Sequence, residues 1–267
     1  MFDSLRTENR VTQLSDCNVV LVPGAWHGAW AWAKVVARLR ALGINTLAMD
    51  LPGQGRGDGR HDLEGHADVL QSVVSGLTGR TLVCGHSYGG AVVGEATLRS
   101  QGPLRLLFLA AFMLDRGECC MSVNDVAGES ASGSDSFEWV DDDHVLIPRE
   151  AAMEAFYRDV IPDEAQDALD RLTPEHRDTV YGIAQHAGWS QHRSSYVLCG
   201  RDRAIVPAVQ RKMATRADLA YYLDAGHSAM LSHPELVSAI MVAELLREDL
   251  AQTGEHPTQG LPAAVAK

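Results

Sequence analysis

Short apolar runs alternate with amphipathic segments along most of this chain. The apolar runs, bounded by glycine, proline or polar residues, predict strands at 18–22, 45–49, 81–84, 104–113, 195–199 and 219–223. Segments with apolar residues on one face predict helices at 29–42, 63–77, 91–99, 207–215 and 234–249. This alternation predicts a mostly parallel, doubly wound α/β sheet. The unbroken apolar run at 104–113 is typical of a strand that is buried on both faces.

The alternation stops between residues 115 and 191. This stretch holds a Ser/Gly-rich segment at 128–135 and two helix-like segments at 148–158 and 162–172. A long insertion between two sheet strands predicts a helical lid. We therefore expect a core in two parts (1–114 and 192–250), a lid or cap insertion (115–191) and a flexible tail (251–267).

The composition is that of an ordinary globular protein, with 46% hydrophobic and 22% charged residues in 267. A formal net charge of -12 disfavours nucleic acid and anionic membranes as partners, because both would repel the protein. No leader-like or membrane-spanning apolar stretch is evident, so we expect a cytoplasmic protein. We expect a monomer or a homodimer.

Cysteine and histidine give no sign of a disulfide framework or a metal site. The five cysteines are an odd number, and the adjacent pair Cys119 and Cys120 lacks metal-ligand spacing. The eleven histidines are scattered along the chain. We therefore expect neither a metal nor another cofactor.

The segment Gly85-His86-Ser87-Tyr88-Gly89-Gly90 lies where a predicted strand turns into a helix. A serine in this setting is typical of a nucleophile elbow, in which a strained backbone pushes the hydroxyl into a cleft. Glycines on both sides remove the β-carbons that would collide with the strand and the helix. We therefore predict that Ser87 is a nucleophile.

A serine nucleophile needs a base and a group that orients the base. His227 follows the predicted strand 219–223 in a loop of small residues, and Asp202 follows the strand 195–199. The order Ser87, Asp202, His227 is that of α/β-hydrolase triads, and each residue follows a different strand. Asp115, which also follows a strand, is the alternative acid.

Acyl transfer also needs N–H donors for the oxyanion. The backbone N–H of Tyr88, directly after the serine, is one candidate. The loop after the first strand supplies the other, for which Ala25 is the first choice and Trp26 the second.

Several aromatic and histidine side chains are candidates for a substrate pocket, although packing within the core explains them equally well. His27 and His86 border the predicted site and are interpreted as structural or substrate-shaping residues. The candidate pocket residues are Trp26, His27, Trp30, His86, Phe112, Tyr157 and Trp189.

The segments 22–30, 85–90 and 224–228, together with Asp202, resemble the α/β-hydrolase superfamily. More narrowly, the chain is similar to the branch that holds small bacterial carboxylesterases, plant methylesterases of the salicylate-binding type and hydroxynitrile lyases. The similarity spans about residues 17 to 247. It implies the α/β-hydrolase fold and a triad at Ser87, Asp202 and His227.

The resemblance implies a cofactor-independent serine esterase for a small or medium carboxylic ester, including a methyl ester or a lactone. The lyases of this branch carry threonine and lysine at positions that match Gly24 and Ser228 here, which disfavours lyase chemistry. Because fold and triad do not fix the acceptor, acyltransferase, thioesterase and C–C lyase activity stay open as alternatives. A non-catalytic role as a small-molecule receptor is a further alternative.

Overall fold

The structure, a computed structural model, describes residues 14–53, 61–124 and 137–247. The predicted tail at 251–267 and the Ser/Gly-rich segment at 128–135 lie outside the described residues.

Six parallel strands form the central sheet, in the order β2-β1-β3-β4-β8-β9. Three more strands form a small antiparallel sheet in the order β5-β6-β7. In chain order the strands are β1 (Cys17–Val22), β2 (Asn45–Ala48), β3 (Arg80–His86), β4 (Leu104–Leu109), β5 (Glu138–Trp139), β6 (His144–Leu146), β7 (Glu175–His176), β8 (Arg193–Cys199) and β9 (Leu219–Leu223).

Helices connect the strands and cover the sheet. They are α1 (Ala33–Ala41), α2 (Leu63–Ser75), α3 (Tyr88–Glu95), α4 (Cys120–Asn124), α5 (Arg149–Phe156), α6 (Pro162–Leu169), α7 (Asp178–Tyr181), α8 (Pro207–Ala214), α9 (Ala229–Ser232) and α10 (Pro234–Leu246). Short 3-10 helices span Leu14–Asp16, Ala29–Trp32 and Gly188–Gln191. Within the described part of the chain, no helix is long and apolar enough to cross a membrane.

The inner strands β1, β3, β4 and β8 are buried on both faces, whereas the edge strands β2 and β9 are partly exposed. Successive side chains of a strand point to opposite sides of the sheet. Leu21, Leu82 and Leu107 pack with α1 and α10 in one apolar cluster. Val20 and Phe108 belong to a second cluster, with side chains of α2, α3 and α8. The sheet order and the two clusters confirm the doubly wound α/β class predicted from the sequence.

Residues 115–124 and 137–191, between β4 and β8, form the insertion. It contains α4 to α7 and also the small sheet β5-β6-β7. Of these helices, α5 and α6 lie in the two segments that were predicted to be helical, whereas α4 and α7 were not predicted. The sequence analysis missed this sheet because its strands are only two or three residues long, too short for an alternating pattern to be recognised.

Two element boundaries at the elbow differ from the predictions. The helix α3 begins at Tyr88, directly after the nucleophile candidate, and the backbone leaves the helix at Ala96. The strand β4 ends at Leu109 because Ala110 has a positive φ of 43°. The hydroxyl of Tyr196 bonds both the N–H and the carbonyl of Ala111 and so fixes this turn.

We expect Gly85→Ala to destabilise the fold severely, by several kcal/mol. A β-carbon at Gly85 would lie 2.5 Å from the carbonyl oxygen of Gly89, and a backbone in a packed turn cannot give way. Urea unfolding would measure the change. Gly76→Ala is the matched control, because its β-carbon would meet only the Val73 carbonyl at 3.7 Å. Equal stability of the two variants would contradict the argument.

Candidate active site

Three strained backbone positions lie at the carboxyl ends of neighbouring strands. Among the described residues, the non-glycine residues with positive φ are Trp26 (62°), Ser87 (52°) and Ala110 (43°). They follow β1, β3 and β4, which are adjacent in the sheet. Because parallel strands end at a common edge, the strain is concentrated where α/β proteins usually bind ligands.

Ser87 lies between the last residue of β3 and the first residue of α3, with φ 52° and ψ −123°. Its carbonyl accepts the N–H groups of Gly90 and Phe112, both at 3.0 Å, which holds the turn from two sides. Gly89 is required here, since its β-carbon would lie 2.5 Å from the carbonyl oxygen of Val22. The geometry is that expected of a nucleophile elbow.

Asp202 and His227 come together although 25 positions separate them in the chain. Nδ1 of His227 lies 2.8 Å from Oδ2 of Asp202, and both side chains are almost completely buried. This hydrogen bond fixes the imidazole tautomer with a proton on Nδ1. Nε2 is then the nitrogen that can accept a proton.

The Asp202 carboxylate is held by further donors. Oδ1 accepts the N–H groups of Ala204 and Ile205 at 2.8 and 3.0 Å, and Oδ2 accepts Nε2 of Gln210 at 2.8 Å. Gln210, a fully buried residue of α8, was missed by the sequence analysis. A polar residue next to Val209 on the buried face of α8 is the signal that could have found it.

His86 connects the elbow to the histidine loop. Its Nε2–H donates to the backbone carbonyl of His227 at 3.0 Å, and the two ring centroids are 4.6 Å apart. His227 therefore lies beside the residue that precedes Ser87. Among the described residues, the Ser87 hydroxyl makes no hydrogen bond.

Within the described ranges, the two predicted oxyanion donors have N–H groups without an acceptor at this edge. Tyr88 is the first residue of α3, so its N–H has no acceptor within the helix. In the described part of the chain, no oxygen accepts the N–H of Ala25. Trp26, the second choice, differs, because its N–H donates to Oε1 of Glu175 at 2.7 Å.

Burial disfavours the charged form of three histidines around the site, His27, His66 and His86. Burial lowers the pKa of His27 and of His66 to about 4, and it holds the pKa of His86 well below its usual value. Nδ1–H of His27 donates to the Ala25 carbonyl at 2.7 Å, and Nε2 accepts the Tyr157 hydroxyl at 2.7 Å. These rings therefore act as hydrogen-bonded supports of the surrounding loops.

An apolar cavity opens beside Ser87. Its empty volume, including the open mouth, is about 380 Å³. No described residue of the lining has a charged side chain, so the cavity suits an uncharged ligand. The lining consists of Ala25, Trp26, Ser87, Tyr88, Phe112, Cys120, Met121, Asn124, Phe137, Phe156, Val180, Ala204 and Ile205.

The structure divides the predicted pocket residues into two groups. Trp26 and Phe112 line the cavity, but the other candidates are not part of the lining: His27, Trp30, His86, Tyr157 and Trp189. His27, His86 and Tyr157 are buried in hydrogen-bonded contacts among themselves and with neighbouring loops. Nε1 of Trp189 donates to the Leu114 carbonyl at 2.7 Å, away from the cavity lining.

Two further residues concern the surroundings of His227: the alternative acid Asp115 and the aromatic residue Phe156. The alternative acid Asp115 is exposed, and its carboxylate accepts the neighbouring N–H of Arg116. Phe156 of α5, which the sequence analysis did not select, lines the cavity and packs against the His227 ring at a centroid distance of 5.3 Å. His227 itself is not part of the lining and contacts it through Phe156.

The insertion also reaches the loop that carries His227. Oδ2 of Asp159 accepts the N–H of Gly226 at 2.6 Å and the hydroxyl of Ser232 at 3.2 Å. A β-carbon at Gly226 would overlap the Asp159 carboxylate. A side chain directly before the histidine would therefore require the Asp159 carboxylate or the loop to move.

Comparison with known proteins places the chain in a family. Residues 19–240 match the model of the alpha/beta hydrolase family. Alpha/beta hydrolase nvfD of Aspergillus novofumigatus is 25% identical over 240 residues, which are 82% of this chain and 92% of that protein. Putative methylesterase 19 of Arabidopsis thaliana is 26% identical over 250 residues, which are 84% of this chain and 95% of that protein.

Solved structures agree with this fold. The pyrethroid hydrolase of Sphingobium faniae JZ-2 superposes with a TM-score of 0.73 at 21% identity. The match covers 86% of this chain and 97% of that chain.

We expect Gly226→Ala to slow the labelling of Ser87 by a fluorophosphonate at least tenfold, since the new methyl group displaces the loop that carries His227. Labelling rates of purified variants would measure this. In an Asp159→Ala background, Gly226→Ala should slow labelling less, because the obstructing carboxylate is absent. An equal decrease of the labelling rate in the two backgrounds would contradict a clash between the new methyl group and the Asp159 carboxylate.

Acid should destabilise the folded protein through its buried histidines. The pKa of His66 is about 4 when folded and near 6.5 when unfolded, so the unfolded chain binds a proton that the folded one excludes. The free energy of unfolding therefore falls as the pH decreases from about 6.5 to about 4, by on the order of 3 kcal/mol for this group.

His66→Gln removes that titration while Gln can still bond the Tyr88 hydroxyl and the Pro52 carbonyl, the two partners of His66. Urea unfolding between pH 7.5 and 4.5 should show a smaller loss of stability for this variant than for the wild type. Parallel pH profiles would show that His66 does not carry the effect.

Proposed function

The chain belongs to the alpha/beta hydrolase family and is a carboxylic ester hydrolase, and we propose that it acts as a serine esterase through a Ser87, His227 and Asp202 triad. The observation that carries this proposal is the buried 2.8 Å hydrogen bond between His227 and Asp202, at the same sheet edge as the strained Ser87 elbow. The N–H groups of Ala25 and Tyr88, which have no acceptor among the residues that the structure describes, accompany it.

In the first half-reaction, Oγ of Ser87 attacks the ester carbonyl carbon while Nε2 of His227 accepts the hydroxyl proton. The carbonyl oxygen becomes an oxyanion that accepts hydrogen bonds from the N–H groups of Ala25 and Tyr88. The ester C–O bond then breaks, and His227 returns the proton to the leaving alcohol. Asp202 orients the imidazole and stabilises its charged form throughout.

In the second half-reaction, water attacks the acyl-enzyme. Nε2 of His227 accepts a proton from the water, and a second tetrahedral oxyanion forms at the same N–H groups. When this intermediate collapses, the proton returns to Oγ of Ser87 and the carboxylic acid is released. The cycle requires no metal or organic cofactor.

The cavity indicates which esters the site accepts. Aromatic and aliphatic side chains form most of its lining, so burial of an apolar acyl or alcohol group drives binding. The absence of charged side chains from the described lining, together with the net charge of -12, disfavours substrates with a free carboxylate. We propose an uncharged small or medium ester, such as a methyl ester or a lactone.

We expect Ser87→Ala to lower kcat on the best substrate by a factor on the order of 10⁴ to 10⁶. A panel of p-nitrophenyl and methyl esters of graded acyl size would identify that substrate. Ser75→Ala, which changes an exposed serine of α2, is the matched control and should leave turnover unchanged.

Product analysis and probe labelling decide between the proposal and its alternatives. Release of the free acid supports hydrolysis, whereas transfer of the acyl group to an added alcohol or thiol, or cleavage of a carbon–carbon bond, would replace it. Retained turnover in Ser87→Ala would remove the serine mechanism. Failure of a fluorophosphonate to label Ser87 in the wild type would favour a non-catalytic receptor.

A further inference from the structure

The peptide group between Ala25 and Trp26 is held at both ends. Its carbonyl oxygen, on Ala25, accepts Nδ1–H of His27 at 2.7 Å. Its N–H, on Trp26, donates to Oε1 of Glu175 at 2.7 Å. This peptide directly follows the N–H of Ala25 that we assign to the oxyanion, so its orientation fixes the direction of that donor.

The partners of this peptide depend on the insertion. Glu175 lies in β7, and Tyr157, which bonds the far nitrogen of His27, follows α5. The Trp26 carbonyl accepts the N–H of Thr173 at 3.2 Å, and its indole Nε1–H donates to the Val145 carbonyl at 3.1 Å. Trp26 is therefore surrounded by hydrogen bonds from the insertion.

These bonds maintain a backbone conformation that Trp26 would otherwise avoid. Its φ is 62°, and a non-glycine residue in this region costs of order 1–3 kcal/mol and persists only where its surroundings impose the conformation. Among these three hydrogen bonds between Trp26 and the insertion, the one to Glu175 is the shortest, at 2.7 Å. The bond to Glu175 is therefore the contact best able to hold the strained residue.

Glu175 is itself fixed in place. Its side chain is buried, with 3% of the residue exposed, and Oε2 accepts the hydroxyl of Thr179 at 2.9 Å. Its charge also adds to the effect of burial that raises the pKa of the Tyr88 hydroxyl. The carboxylate is thus held in place at the peptide between Ala25 and Trp26.

We propose that Glu175 is a positioning residue for catalysis, which holds the Ala25–Trp26 peptide so that the Ala25 N–H faces the oxyanion. This role rests on the proposed esterase function. It makes the insertion part of the oxyanion hole, in addition to a wall of the substrate cavity. When the carboxylate is absent, Trp26 can relax to a negative φ, which rotates the preceding peptide and misdirects the donor.

Three substitutions of Glu175 separate the hydrogen bond from the charge. Glu175→Gln keeps an acceptor at the same reach without charge, Glu175→Asp keeps the charge but withdraws the acceptor by one methylene, and Glu175→Ala removes both. Glu95→Ala is the matched control. Glu95 is also buried and bonds the insertion through the N–H groups of Gln185 and His186 at 2.9 and 3.0 Å, but it does not contact the oxyanion loop.

The experiment measures kcat and KM on the best ester, the Ki of an aryl trifluoromethyl ketone, and Tm. The ketone forms a tetrahedral adduct with the serine, so its Ki reports on oxyanion binding. We expect Glu175→Ala and Glu175→Asp to lower kcat about 10- to 100-fold with a similar rise in Ki and little change in KM, because the donor is misdirected instead of deleted. Glu175→Gln should stay within about threefold of the wild type, and Glu95→Ala should lower Tm but retain kcat and Ki.

Folded Glu175→Asp with kcat and Ki near the wild-type values would overturn the proposal, as would an equal loss of kcat in Glu95→Ala. If Glu175→Ala does not fold, the proposal is tested by comparing the losses of kcat in Glu175→Gln and Glu175→Asp. A larger loss of kcat in Glu175→Gln than in Glu175→Asp would also overturn the proposal. It would show that catalysis depends on the charge of residue 175 and not on the position of its hydrogen-bond acceptor. A wild type without Ser87-dependent ester turnover would instead reject the esterase function itself.

Discussion

The parallel direction of six strands is the constraint on which the chemistry of this protein depends. Because parallel strands all end at the same edge of the sheet, the loops after β1, β3, β8 and β9 meet there. Each loop supplies one component of the proposed site: the oxyanion loop, the nucleophile, the acid and the base. The strain at Ser87 and Trp26 is tolerated because the strands on which these loops stand are buried on both faces and cannot shift.

The insertion lines the cavity, and it also forms hydrogen bonds with two loops of the proposed site. Glu175 accepts the N–H of Trp26, and Asp159 accepts the N–H of Gly226. One carboxylate therefore bonds the residue after the proposed oxyanion donor, and the other bonds the residue before the proposed base. A buried N–H without an acceptor costs about 1–3 kcal/mol, so displacing the insertion would disturb both loops. The cavity and the proposed catalytic groups are in this way connected through the same segment.

The local pattern of the chain was sufficient to predict most of the fold. All six strands of the central sheet were recognised, since each is a short apolar run between turn residues. The errors lie where tertiary contacts override local preference. The apolar run from Leu104 continues to Met113, but β4 stops at Leu109 because the Tyr196 hydroxyl bonds the next turn. The small sheet β5-β6-β7 carries too few residues to leave a pattern.

The sequence by itself determined the family, the elbow at Ser87 and the candidates Asp202 and His227, because a glycine-flanked serine and residues that follow strands are local features with a fixed order. Only the tertiary structure decided which groups touch. It joined His227 to Asp202 through a buried bond, added Gln210 behind them, and excluded Tyr157 and Trp189 from the cavity lining. It also assigned Trp26 to Glu175, 149 positions away. Such contacts depend on how the insertion folds back over the sheet, and no local pattern of residue types encodes that long-range packing.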